Sequence, residues 1–348
     1  MFRSILAVLL FAALAQAQPP KAAYWLDYRE KQRVTGVLEY AVKCPNVVAT
    51  EWIVAVPVAP ELTAQKRPKT TCNLPHKVVK EKSDEAREVI VVQAPAKTAA
   101  EKTGFNLEVT YEATLYSREL KPLKAGEPRP KFAALDDPER KLYLVATTDL
   151  NFADPAFQKW LDTAKLKRGA KETDVDFARR VFEQIRGIGK YEYGGKIDRR
   201  ASVVCGTGRT DCGGFSQLFT AAMRANGIPA RSLFGRWAES AKPDAKIGKI
   251  EYFQWHVIAE FYADGIGWVP VDLASTVVQD KPGTPTRHFG IEHGTFLTQH
   301  IDGNLLVDSI RFGIADLQNI QQPSWWVSGG GKVDGAKTTE GWKVTSKR

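Results

Sequence analysis

The chain has 348 residues, of which 43% are hydrophobic and 26% charged, with a formal net charge of +9. This length is too great for one ordinary domain and fits two with flexible ends, each long enough to bury a core without covalent staples. The composition is that of a soluble globular protein. Its Lys and Arg are interleaved with Asp and Glu, with no block of five like charges, which argues against nucleic acid as a partner and keeps an anionic cell envelope in view.

The first residues read as an address. Arg3 gives a short positive start, Ile5 to Leu14 form an unbroken apolar run, and Ala15-Gln16-Ala17 supplies a small-x-small cleavage pattern. Ten apolar residues are too few to span a bilayer, so residues 1–17 are expected to be a cleaved secretory signal rather than an anchor. Its removal takes away Arg3 alone, 9 − 1 = +8, and no later stretch is apolar enough to cross a membrane. The expected location is therefore periplasmic or extracellular, where cysteines oxidise. Of the four cysteines, Cys44 and Cys72 fall in the same region and are expected to pair, while Cys205 is expected to stay a buried thiol.

Residues 24–123 read as strands. The segments 33–40, 52–56, 89–92 and 107–111 are short, rich in β-branched and aromatic residues, and separated by Pro, Gly and charged clusters. Their spacing predicts a β-sandwich of ordinary size. Residues 122–130 have the Lys, Gly and Pro content of a linker.

Helices follow within 131–325. Thr173 with Asp176 three residues on is a capping-box pattern, and Phe177, Ala178, Val181, Phe182 and Ile185 share one face behind it until Gly187 and Gly189 end the helix. A second helix runs from Cys212 or Gly213 to Ala225 with a stripe of Phe215, Leu218, Phe219, Ala222 and Met223, closed by Asn226-Gly227. Strands are then expected at 231–234, 255–261 and 268–272. The end of the chain, 329–348, is polar and opens with Gly329-Gly330-Gly331, which predicts a flexible tail.

The chemistry concentrates at Cys212. A thiol at a helix start meets the positive end of the helix dipole and free N–H groups, which favour thiolate and can receive an oxyanion. Flanking glycines let a substrate backbone come close. Alone, this segment would also suit a structural cysteine. Further on, Gln254 to Phe261 and Gly267 to Asp272 read as two strands joined by the turn residues 262–266. With the hairpin centred on Asp264, His256 and Asp272 face each other, so Asp272 can orient an imidazole whose second nitrogen serves Cys212. A one-residue slip would turn the two side chains to opposite faces, and would favour Glu260 as the partner carboxylate. His288, His293 and His300 lack zinc-ligand spacing, and neither a metal nor a cofactor is expected.

These motifs together resemble bacterial members of the transglutaminase-like superfamily. Asp211-Cys212-Gly213 followed by Arg224 to Arg231 is similar to their nucleophile segment, His256 to Phe261 to their histidine strand, and Gly267 to Asp272 to their aspartate strand. The resemblance spans about residues 135 to 325. The stretch from Trp52 to Gln65 is similar to the domain that often precedes this one. The resemblance implies an α+β, papain-like catalytic core behind an all-β sandwich-like domain, with Cys212 as nucleophile, His256 as base and Asp272 as orienter. It implies a peptide or protein substrate whose amide is opened through a thioester, with amide transfer to amines or a non-catalytic binding role as the alternatives. It also places Tyr191 and Tyr193 near the cleft, with Tyr193 and Gln184 as candidates for a second oxyanion donor. Departures are His256-Val257-Ile258 where the family often has His-Ala-Trp, and Asp272-Leu273 where it often has Asp-Pro.

Overall fold

The computed structural model describes residues 23–124, 134–194, 197–281 and 283–347. The leader expected over 1–17 and most of the expected linker lie outside these residues. The β-rich first region consists of β1 (Tyr24–Lys43), β2 (Val47–Pro57), β3 (Gln65–Cys72), β4 (His76–Lys80), β5 (Glu88–Pro95) and β6 (Gly104–Pro122). β1 and β6 form one long antiparallel ribbon with a bulge between Glu30 and Gln32. From Val34 to Val42, burial on β1 alternates residue by residue, the pattern of a strand with one covered face. β2 differs. Trp52, Val54 and Val56 face the sandwich core, while Ile53 and Ala55 pack into a second apolar layer, so the strand reads as a continuous apolar run because both faces are buried.

The second region begins with α1 (Asp137–Leu142), α2 (Pro155–Thr163) and α3 (Asp174–Ile188). Thr173 accepts from the Asp176 amide, and the five apolar residues expected on one face of α3 are buried. The short strand β7 (Lys190–Tyr191), helix α4 (Ala201–Thr207) and short strand β8 (Arg209–Thr210) lead to α5 (Cys212–Ala225). α5 is buried all round, including a polar stripe of Ser216, Gln217, Thr220 and Arg224 whose side chains are each hydrogen-bonded inside the protein. It lies against an antiparallel sheet made of β9 (Ala230–Trp237), β12 (Trp255–Ala263), β13 (Gly267–Val271) and β15 (Phe296–Ile301), in the order β13-β12-β9-β15. Between β9 and β12 the chain makes a small hairpin, β10 (Lys246–Ile247) and β11 (Ile250–Glu251). Helix α6 (Leu273–Gln279) follows β13, and β14 (Ile291–His293) pairs with β6. Val257, Ala259 and Phe261 of β12 belong to the core shared with α5, while Ile258 and Tyr262 belong to a smaller cluster with Leu233 and Trp268.

The last part of the chain corrects one expectation. β16 (Leu305–Asp308) and β17 (Ile314–Leu317) form a hairpin, and Leu305, Val307 and Ile320 supply the apolar layer on the outer side of β2 and β5. The segment expected to be a flexible tail instead forms strands. β18 (Ser324–Gly331) pairs with β2, and β19 (Lys337–Lys347) pairs with β1 over Arg33 to Lys43. These two strands thus add one edge to each sheet of the sandwich, β18-β2-β5-β4 and β14-β6-β1-β19, with β3 also pairing with β6. β19 looked disordered because it buries little beyond Trp342, which lies across Gly36, where a Cβ would stand 2.1 Å from the indole. Its order comes from an eleven-residue backbone ladder rather than from apolar periodicity.

The expected Cys44–Cys72 disulfide is absent, and all four cysteines are free thiols. Cys44 N–H bonds Thr103 O just before β6, whereas Cys72 pairs with Val109 of β6 from its opposite edge. Six residues of strand separate those two points, about 20 Å, far beyond the reach of a disulfide.

Candidate active site

Asp211 and Cys212 start α5. Asp211 has extended backbone, and its Oδ1 accepts from Gly213 N at 3.1 Å and Gly214 N at 3.3 Å. Cys212 is the first helical residue and is buried. Glycine is required at 214 because a Cβ there would fall 1.9 Å from Thr210 Oγ1. The helix start is therefore pressed onto the strand before it.

His256 lies near the start of β12. Its Nε2 is 2.8 Å from Asp272 Oδ2, which leaves Nδ1 for Cys212. Asp272 also accepts from Ser275 N at 2.9 Å and Ser275 Oγ at 2.7 Å, and so caps α6 while it holds the imidazole. Trp237 stacks on the His256 ring with centroids 4.4 Å apart, and Phe296 meets it edge-on. From behind, the Gln321 amide donates to His256 O at 2.9 Å and Gly235 O at 2.6 Å. Burial disfavours a charged imidazole, but Asp272 and then Cys212 outweigh it, and the His256 pKa is pushed up to about 10. Burial likewise disfavours ionised Asp272, but His256 and Ser275 hold its carboxyl below the usual carboxylate range. A buried cysteine, an imidazole that keeps its proton at neutral pH and a fixed carboxylate are the parts needed for nucleophilic attack and proton return.

The hairpin that carries these groups has a register different from the expected one. Ala259 pairs with Val271 and Ala263 with Gly267, so the centre is Gly265 rather than Asp264. A three-residue loop with left-handed Gly265 and Gly267 causes the offset. β13 ends at Val271, and His256 reaches Asp272 on a diagonal. Because each pairing moves by two residues, the faces are preserved. Glu260, the rival carboxylate, is committed elsewhere: it accepts from Arg118 Nη1 and Arg231 Nε, each at 2.6 Å.

A cleft of about 500 Å³ opens beside Asp272, lined by Trp237, Tyr252, Pro270, Ser275, Glu292 and Phe296 among others. Tyr191, Tyr193 and Tyr252 flank Cys212. Burial and then the charge of Cys212 push their hydroxyl pKa values well up, so all three remain neutral hydrogen-bond donors. Tyr252, Trp237, Arg199 and Gln321 were not singled out by sequence, since each reaches the site from a loop or a distant strand. Ser275 had a local signal, three residues after Asp272 in an N-cap pattern. Cys205 is apart from the site, a buried thiol 3.3 Å from Ser202 O with its pKa pushed up to about 11 by burial. Among the described residues no group of three His, Cys, Asp or Glu side chains could hold a metal ion.

Residues 162–273 match the family model of the transglutaminase-like superfamily core. That segment is a transglutaminase-like superfamily core. The matched segment runs from within α2 to the first residue of α6, and so contains Cys212, His256 and Asp272. A likeness of fold extends further. A solved structure of a protein from Cytophaga hutchinsonii, described as a candidate cysteine protease, aligns with a TM-score of 0.57 and 14% identity over 92% of both chains, a likeness of fold. The periplasmic domain of TgpA from Pseudomonas aeruginosa aligns with a TM-score of 0.34 and 13% identity, over 69% of this chain and 91% of that one. An uncharacterized protein of Haemophilus influenzae is 37% identical over 75 residues. That match takes in 18% of this chain and spans about a fifth, 20%, of the relative. Among the described residues no helix is long and apolar enough to cross a membrane.

Proposed function

We propose that this chain is a secreted cysteine enzyme that opens a peptide or related amide bond through a thioester on Cys212, with His256 and Asp272 as its acid–base partners. One observation carries the reading: a cysteine at the start of a buried helix, beside an imidazole whose Nε2 is held 2.8 Å from a buried carboxylate. In this mechanism the Cys212 thiolate attacks the carbonyl carbon, and the oxyanion is received by the Cys212 N–H at the helix N-terminus. The tetrahedral intermediate collapses and the C–N bond breaks. The leaving amine takes its proton from the His256 imidazolium, and the acyl group remains on sulfur. His256, now neutral, takes a proton from water as it attacks the thioester, which frees the carboxylic acid and restores the thiolate–imidazolium pair. Asp272 holds one tautomer throughout and stabilises the imidazolium. The presence of all three groups disfavours a purely binding role.

Location outside the cytoplasm is supported by the leader pattern of residues 1–17. The proposed substrate is a peptide or protein of the cell envelope, opened without a cofactor. Mass spectrometry of a peptide library incubated with residues 18–348, with and without a primary amine, tests the reaction. The expected result is cleavage products carrying one added water in both arms. Amine incorporation in place of water would assign transfer instead. Peptides left intact in both arms would remove the enzymatic reading.

A further inference from the structure

The nucleophile proposed above has a carboxylate as its neighbour. Asp211 precedes Cys212 in the chain, and its side chain is 3% exposed. As a cap it stabilises α5, but a buried negative charge one residue from the thiol opposes any anion that forms there, thiolate or oxyanion alike. One helix start therefore faces two electrostatic demands of opposite sign.

Arg199 lies where both can be met. Its Nε is 2.9 Å from Asp211 Oδ1 and 3.0 Å from Oδ2, and its Nη2 is 2.5 Å from Oδ2. The stem of the side chain passes over the first turn of α5, with Cδ 3.1 Å from where a Cβ on Gly213 would stand. The guanidinium is itself largely buried and senses the charge of Asp211, Cys212 and Tyr193. With the Gly213 and Gly214 amides taken by Asp211 Oδ1 and the Phe215 amide by Asp211 O, the Cys212 N–H has no hydrogen-bond partner among the described residues. That is the donor an oxyanion needs.

We propose that Arg199 is a positioning residue for the reaction at Cys212: it fixes Asp211 in the rotamer that caps Gly213 and Gly214 and cancels its charge beside the nucleophile. The inference rests on Cys212 being the nucleophile. Arginine suits the task because a planar fork can pair with both carboxylate oxygens, which an ammonium cannot.

The test compares Arg199→Gln, Arg199→Lys, Asp211→Asn and the double variant Arg199→Gln/Asp211→Asn with the unmodified protein. Two rates are read at pH 7: carbamidomethylation of Cys212 by iodoacetamide, followed by peptide mapping, and turnover of the peptide library. Melting is followed by circular dichroism. Arg199→Gln should slow both rates about tenfold or more, because it releases a like charge next to the reacting atom. Arg199→Lys should fall between. The double variant should return to within about threefold of the original, since Asn caps a helix nearly as well as Asp without the charge. A cation that serves folding alone would lower melting temperature and activity together, with no recovery in the double variant, and that result overturns the proposal. So does an Arg199→Gln protein that alkylates at the original rate. Cys212→Ala separates the two claims. If it still turns over the library, the nucleophile reading fails; if it is inert while Arg199→Gln is unimpaired, the role of Arg199 alone fails.

Discussion

The two oxygens of Asp272 are both engaged before any substrate arrives, one by His256 and the Ser275 hydroxyl, the other by the Ser275 amide. Replacing Asp272 with Asn keeps the shape but can favour the wrong imidazole tautomer, and kcat should fall about 10² to 10⁴-fold. The pH dependence has a definite sign. His256 is raised from its ordinary 6.5 to about 10, so the alkaline limb of activity should lie near pH 10. In Asp272→Asn that limb should move down by about one unit or more, which a pH–rate profile reads directly. Stability follows the same linkage. The folded-state contribution of His256 is complete below pH 6.5 and is lost as pH rises toward about 10, whereas that of Asp272 is present above its unfolded 3.8 and is lost as pH falls through its lowered folded value. Melting temperatures of the original protein and His256→Ala should therefore converge between pH 6.5 and 10; a constant gap would refute the raised imidazole. Glu260 supplies the contrast. Glu260→Gln leaves Arg118 and Arg231 buried and poorly paired, a loss of about 3 to 5 kcal/mol in urea denaturation, with kcat per folded molecule unchanged. Abolished turnover in a folded Glu260→Gln protein would restore Glu260 as a partner of His256. The meeting of His256 with Asp272 and Cys212 was legible because each residue sits in a short segment with its own pattern. The fate of Glu260 was not, since Arg118 comes from a strand 142 residues away in sequence.

The elements around the site show how local chemistry decides register and contact. Gly265 and Gly267 both adopt left-handed backbone, and the sequence offered no means of choosing between a loop centred on residue 264 and one centred on 265. Either centre keeps His256 and Asp272 on one face, so their contact was legible even where the ladder was not. At the start of α5 the constraint is steric. Gly214→Ala would drive a methyl into the side chain of Thr210, itself fully buried. Overpacking at such a point costs about 1 to 3 kcal/mol and should displace the first helical turn that carries Cys212. Removing the obstacle should reverse this: Gly214→Ala/Thr210→Ala should regain most of the stability and of the iodoacetamide reactivity of Cys212. If the double variant is no better than Gly214→Ala alone in urea melts and alkylation, the close approach of these two residues does not govern the helix start.

The whole molecule ties its last strand to the proposed active site. A tail of glycine, lysine and threonine carries no apolar period, which is why it read as flexible. Yet β19 adds a full edge to the sandwich, and Trp342 is its buried anchor. The indole N–H donates to Trp237 O at 3.0 Å, and the Trp237 ring stacks on His256. Glu340 of the same strand meets Arg236, whose guanidinium also donates to Gln321 O, while the Gln321 amide holds His256 O. Two routes therefore run from β19 to the imidazole, one through Trp237 and one through Arg236 and Gln321. Trp342→Phe keeps the ring and loses the N–H, so it should cost about 1 kcal/mol and lower turnover more than it lowers melting temperature. Trp342→Ala leaves a cavity under β1 and should cost about 3 to 5 kcal/mol. A chain ending at residue 335 removes both routes and exposes the edge of β1. It should lose library turnover and Cys212 alkylation selectivity, whether or not the helical core still melts cooperatively. Full turnover and an unchanged melting temperature in that shortened chain would show that the sandwich edge and the site are independent.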